Sequence, residues 1–231
     1  MDASKYPGLA GRLGAPRLGS YMAECSGDPL ESVQLYTWNS AMCSALWGPL
    51  AILEVVTRNA IHSALAAGAG QANWWASPDI HLLPGERDKI TEAHKKLADE
   101  GKAQPTADDV VAATSMGLWA GLLTAGWARD PQYDYHYKLW LPHVAGAFPH
   151  RGQTGRRELW GWFNDLRKVR NRIAHHEPIW ALSHSNIMTK IDDVLLAIDS
   201  DAADFVRDGQ RVEMITKNRA KFFDSASAPL I

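Results

Sequence analysis

Cysteine is nearly absent from this sequence: Cys25 and Cys43 are the two in 231 residues. They match no metal-binding spacing and no disulfide framework, which argues against a small secreted scaffold and fits a reducing compartment. Excess charge of either sign is also missing. The formal net charge is −2, so a nucleic-acid partner would have to be met by a local basic patch rather than by the overall field of the molecule. The N-terminal MDASKYPGLAGRLG has no basic stretch followed by an apolar one and does not read as a secretory signal. The expected location is therefore cytoplasmic. No internal repeat, low-complexity tract or long linker divides the chain, and no segment alternates as a half-buried strand would.

What is present is a globular balance, 46% hydrophobic and 22% charged, with ten tryptophans to anchor cores or interfaces. Two stretches, Ser32 to Leu53 and Val110 to Ala128, carry no formal charge. Gln34, Asn39 and Pro49 interrupt the first, and Gly, Ser and Thr dilute the second. We read both as buried core helices, against a competing reading as membrane-associated segments.

The helical expectations are specific. A short helix covers Pro16 to Cys25, closed by Ser26-Gly27-Asp28. Pro29 opens a long one to about Ala67, which Pro49 should kink or interrupt. A polar helix follows from Pro84 to about Glu100. Thr106 and Asp109 form an N-cap pair for a helix through Leu123. Another spans Tyr135 to Phe148, with Pro142 inside it as an expected bend. A further one, capped by Thr154, runs through Leu159, Phe163, Leu166, Val169 and Ile173 and ends before Pro178. Two or three more complete the chain between Ser183 and Phe223. The fold class is all-α, as one domain of residues 1–231 or two closely packed halves.

The stretch from Arg170 to Pro178, RNRIAHHEP, holds the most chemistry. At about 100° per residue, Arg170 falls about 20° from Leu159, inside the apolar stripe. A guanidinium there needs a carboxylate, a polar pocket or a ligand. Asn171 and His175 are one turn apart, so the amide can orient the imidazole. Arg172 and His176 form a second such pair. This set suits attack of a ribose 2′-hydroxyl on the adjacent phosphate. Histidine supplies a group titrating near neutrality, arginine a forked cation for the phosphoryl oxygens, and neither role calls for a metal. In the plainer reading, Arg170 pairs with a core carboxylate and His175 satisfies a helix C-terminus.

RNRIAHHEPIW resembles the R-N-x-x-x-H signature of HEPN ribonucleases, and more narrowly the Abi-like, abortive-infection branch of that group. LYTWNSAMCSALWGPLAILEVVTRNAIHSAL, from Leu35 to Leu65, resembles that branch's N-terminal helix with its E-V-x-x-R-N element. SMGLWAGLL, from Ser115 to Leu123, resembles its central G-x-W segment. The resemblance covers about residues 17–198, leaving 199–231 as a C-terminal helical extension. It implies a HEPN-like helical bundle that dimerises and sets two R-N-x-x-x-H helices across one cleft, with Arg170 and His175 catalytic and Asn171 in the polar variable position. It also implies metal-independent RNA cleavage as a toxin of an abortive-infection or toxin–antitoxin defence system, restrained by an antitoxin and requiring no cofactor.

Supporting residues are His176 and the row Glu54, Arg58, His62, in which Glu54 could pair with Arg170 and Arg58 could reach phosphate. A structural ion pair explains that row equally well. The basic residues Arg151, Arg156, Arg157, Arg167, Lys168 and Arg172 form a candidate phosphate track, with Arg167, Lys168 and Arg172 the RNA-binding choices. Trp160 and Trp180 could stack bases, whereas Trp162 reads as core. A non-catalytic module that binds RNA or a protein partner remains the alternative.

Overall fold

The computed structural model describes residues 8–223, and every regular element among them is helical. The β pairing among the described residues is a single bridge between Gly126 and Asp134. The eleven α-helices among these residues are α1 Leu9–Leu13, α2 Ala15–Glu24, α3 Pro29–Ala69, α4 Pro84–Asp99, α5 Ala107–Ala113, α6 Met116–Leu122, α7 Arg156–Ala174, α8 His184–Ile198, α9 Ser200–Gly209, α10 Val212–Lys217 and α11 Arg219–Phe223.

Local chemistry sets most boundaries. The chain leaves α2 through Ser26 and Gly27, both at positive φ (52° and 87°). Asp28 then caps α3, its carboxylate accepting from the amides of Leu30 and Glu31 at 2.8 and 3.0 Å, with Pro29 in the first turn. α3 runs 41 residues and continues through Pro49, where a kink or an interruption was expected and the interruption does not occur. Leu46, Leu50 and Leu53 are fully buried around that proline, and their packing offsets the backbone bond it removes. By length and composition α3 could cross a bilayer, although 44% of its most apolar window is buried within the protein. The second uncharged stretch is divided between two helices of seven residues each, α5 and α6.

That division corrects the expectation of one helix from Thr106 through Leu123. The capping box at Thr106 and Asp109 is present, but Thr114 and Ser115 are extended and separate α5 from α6. Thr114's hydroxyl accepts from the Trp119 indole at 3.0 Å and donates to the Val111 carbonyl at 2.7 Å. Satisfying a buried indole N–H takes precedence over one more helical turn. The expected helix from Tyr135 to Phe148 is likewise broken, into a wider π-type turn at His136–Trp140 and a 3-10 turn at Val144–Ala147. Pro142 lies between them and supplies no amide for a continuous ladder. Four helices, α8 to α11, follow Ser183 where two or three were expected.

The chain divides into two compact units. The first comprises Met1–Leu50, Val169–Met188 and Asp208–Ile231. Its centre is Trp38, whose indole donates to the Ile215 carbonyl at 3.3 Å, with the Arg219 guanidinium 4.6 Å from the ring centroid and His184 edge-on at 5.5 Å. The second comprises Ala51–Lys168 and Thr189–Arg207. Trp74 and Trp119 are buried together in it, ring centroids 6.3 Å apart.

The second unit also buries a carboxylate. Glu86 on α4 accepts from the Tyr135 hydroxyl at 3.3 Å and lies 3.8 Å from Lys89. Gly121 leaves the space it occupies: a Cβ there would sit 2.3 Å from Glu86 Oε1. Gly121→Ala should therefore cost about 1–2 kcal/mol despite alanine's better helix propensity, because a held carboxylate must move. In a Glu86→Ala background the same change should be neutral or stabilising. Urea unfolding of the four proteins measures the coupling, and additive effects would contradict this packing.

Candidate functional site

α7 ends at Ala174, and the next residues form a tight elbow. His176 donates to the Ile173 carbonyl at 3.0 Å and Glu177 to the Arg172 carbonyl at 2.7 Å, with His176 at φ 56°. This is a Schellman closure with histidine in the left-handed position that glycine normally fills. Four side chains of the first unit hold the elbow. Arg17 donates to the His176 carbonyl, Arg172 to the Pro178 carbonyl, and Ile179 N–H to Asn39 Oδ1 at 2.8 Å. His184 Nε2 meets the Ile179 carbonyl at 3.0 Å.

Beside the elbow lies a cleft of about 410 Å³ within the same unit. α3 contributes Tyr36, Asn39, Ser40, Cys43, Ser44 and Trp47, while Ile173, Ala174 and His176 form the other wall. Trp47 is 44% exposed, and the Arg170 guanidinium lies over its ring, 5.6 Å from the centroid. The sequence required Arg170 to find a partner inside the apolar stripe, and the structure gives it an aromatic face. His175 is exposed just beyond the last helical residue, its amide donating to the Asn171 carbonyl at 2.9 Å. The link between Asn171 and His175 thus runs through the backbone, and Asn171 itself is half-buried.

Several basic residues serve as backbone ties. Arg172 spans the elbow, with Glu177 3.7 Å from its Nε. Arg151 donates to the Ala145 and Phe148 carbonyls and Arg156 to the Leu123 carbonyl at 2.7 Å. Arg167 is bound to Asn164 at 2.9 and 3.2 Å, while Lys168 is exposed and 3.4 Å from Asp165. Of the expected phosphate track, Arg157 and Lys168 are the exposed members. In the second unit Glu54 and Arg58 are half-buried, and Arg58 donates to Asn59 and to the Ala112 carbonyl. His62 Nδ1 accepts from the Trp74 indole at 3.1 Å, and its Nε2 is 3.8 Å from Asp108. Trp160, Trp162 and Trp180 are half-buried. Among the described residues no three His, Cys, Asp or Glu side chains gather as a metal site.

Sequence reasoning missed Trp47 and the α3 face around it. The signal was there: Tyr36, Ser40, Cys43 and Trp47 follow at four, three and four residues, one helical stripe beside the buried stripe of Leu35, Trp38, Met42 and Leu46. Searches against protein-family models, curated proteins and solved structures returned no match.

Two outcomes follow. His176→Gly should stabilise the protein by about 1 kcal/mol by removing the left-handed penalty of a β-carbon. Chemical denaturation measures this, and a destabilised variant would mean that the imidazole makes contacts outweighing the strain.

The second concerns pH. Burial chiefly, with Arg219 nearby, holds His184 below its ordinary value of 6.5, and burial does the same for His62 against the opposing pull of Asp108. Both groups fold neutral, so their contribution is complete above 6.5. It is lost as pH falls from there toward the depressed folded values. The urea midpoint should drop on acidification between about pH 7 and 5, and His184→Gln should flatten the dependence. An unchanged slope in that variant would remove His184 from the account.

Proposed function

We propose that this protein is a metal-independent endoribonuclease of the HEPN type, in its Abi-like branch, acting as a toxin in an abortive-infection or toxin–antitoxin defence system. The observation that carries the reading is the arrangement at the end of α7. Arg170 is fixed over Trp47 at a solvent-open cleft, and His175 is presented to solvent one residue past the helix, beside the cleft-lining His176. In this reading the His175 imidazole exchanges a proton with the attacking 2′-hydroxyl or the departing 5′-oxygen. The Arg170 guanidinium neutralises the charge that builds on the phosphoryl oxygens. The 2′-oxygen forms the new bond to phosphorus, the 5′-oxygen leaves with a proton, and a 2′,3′-cyclic phosphate remains.

Five residues apart at about 100° each, Arg170 and the position just past the end of α7 that His175 occupies differ by about 140° around the helix axis. A second copy of the chain, related by a two-fold axis, would let Arg170 of one protomer and His175 of the other face one phosphate. The homodimer, a restraining antitoxin and a cytoplasmic location all belong to this proposal. Retention of RNA binding without cleavage would point instead to a binding module, which the stacking of Arg170 on Trp47 serves equally well.

Arg170→Ala and His175→Ala should each abolish cutting, a loss of at least 100-fold at about 3 kcal/mol of transition-state stabilisation, while leaving a folded protein. Cutting by the unaltered protein should persist in EDTA. Mixing the two variants should restore part of the activity if the site is shared across a dimer. Cutting abolished by EDTA and restored by a divalent ion would overturn the mechanism, and full activity of either variant would overturn the assignment.

A further inference from the structure

The cleft beside the elbow has a chemical character of its own. Among the described residues no Asp or Glu lines it, and three arginines each touch a residue that does: Arg170 on the Trp47 ring, Arg17 on the His176 carbonyl, and Arg211 on Ser44 Oγ at 3.5 Å. The surroundings therefore favour an anionic ligand. The wall carries two aromatic side chains, Trp47, 44% exposed, and Tyr36 about three turns before it on α3. It is also equipped for polar recognition. Asn39 Oδ1 is engaged by Ile179 N–H, and its Nδ2 makes a 3.6 Å contact with Cys43 Sγ. Ser40 donates to the Tyr36 carbonyl at 3.0 Å, which leaves its oxygen able to accept. Burial pushes the Cys43 thiol up to about 11, so it is a small neutral part of the wall rather than a nucleophile. The volume, about 410 Å³, lies within the range of small-ligand pockets.

An aromatic face, a few amide and hydroxyl groups, flanking arginines and, among the described residues, a lining without carboxylates together fit a nucleotide. An apolar peptide would not need the arginines, and a cation would be repelled by them. We propose that this cleft receives one unpaired nucleobase of the RNA, stacked on Trp47, and so directs the protein to single-stranded RNA. The inference rests on the reading above that the substrate is RNA. A base inside a duplex is paired and stacked on both faces and cannot enter a concave site without being turned out.

The test uses the full chain carrying His175→Ala, so that binding is read without cutting. A fluorescein-labelled RNA is titrated by anisotropy as a single strand and as its duplex, against this protein and against versions that also carry Trp47→Leu or Trp47→Phe. Single-stranded RNA should bind at least tenfold more tightly than duplex. Trp47→Leu should remove about tenfold of that preference, as loss of one stacked base implies, and Trp47→Phe should keep most of it. Equal affinity for duplex and single strand, or a preference indifferent to Trp47→Leu, overturns the inference.

Should Trp47→Leu fail to fold, photo-crosslinking of 4-thiouridine RNA to the Trp47 protein decides the matter. Adducts are expected within residues 36–47 or 173–176, and adducts confined elsewhere overturn it. Cleavage and the cleft can fail separately. RNA cut without any dependence on Trp47 sinks the cleft alone. Trp47-dependent binding by a protein that never cuts sinks the nuclease reading alone. Absence of RNA binding sinks both.

Discussion

The left-handed turn at His176 is the constraint on which the arrangement of the first unit depends. A non-glycine residue there costs about 1–2 kcal/mol. The turn persists because Arg17, Arg172 and His184 donate to backbone carbonyls between His176 and Ile179 and Asn39 Oδ1 accepts from the Ile179 N–H. Each such bond contributes about 0.5–1.5 kcal/mol, and those from charged donors more. Their sum exceeds the strain several-fold. One turn thereby ends α7, exposes His175, places His176 on the cleft wall and returns the chain toward α8. The anchors come from α2, α3, α7 and α8, so the geometry of the motif is a property of the whole first unit.

The same need for backbone partners explains the arginines. A guanidinium has five donors and a planar face, and it keeps its charge when half-buried. Arg17 and Arg172 direct donors to carbonyls at the elbow, and Arg151 and Arg156 do so in the second unit. A carbonyl left without a partner at a helix end or turn is costly, so these contacts outrank solvent exposure. A basic run in sequence therefore overstates the cationic surface. In a chain of net charge −2, position decides where positive potential remains. Around the cleft it does remain, because arginines touch the wall and, among the described residues, no carboxylate lines it.

Helical class, the helix start at Pro29, the cap at Thr106 and the stop before Pro178 were legible because each follows from short-range chemistry. The apolar stripe of α7 was legible for the same reason: Leu159, Phe163, Leu166, Val169 and Ile173 are all buried. The break at Thr114 was not: Thr114 leaves the helix to serve an indole five residues on, a choice that periodicity does not register. Within residues 135–148 Pro142 was legible as a bend, and the full replacement of the helix by two short turns was not. Pro49 departs in the opposite direction: of the kink or break that propensity forecast, the break is absent, and Leu46, Leu50 and Leu53 are buried around it. At the site, the candidate pair was readable as a motif. The cleft was hidden because its α3 stripe is uncharged and polar-aromatic, and it becomes a wall only when the end of α7 is placed against it.

Why arginine, and why tryptophan beneath it, then has a physical answer on the proposed reading. An ammonium over an indole would be held as a point charge, with no direction imposed on its donors. The Arg170 guanidinium, 5.6 Å from the Trp47 centroid, is a planar cation whose N–H groups lie in one plane. Its attraction to the ring holds it at the cleft, and hydrogen bonds from a planar fork are directional where those from an ammonium are not. The same indole, exposed toward the cleft, presents an aromatic surface to a base. Recognition of a base and placement of a cation for its phosphate would then rest on one side chain. Binding energy gained by stacking would act at the neighbouring phosphate rather than merely hold the strand.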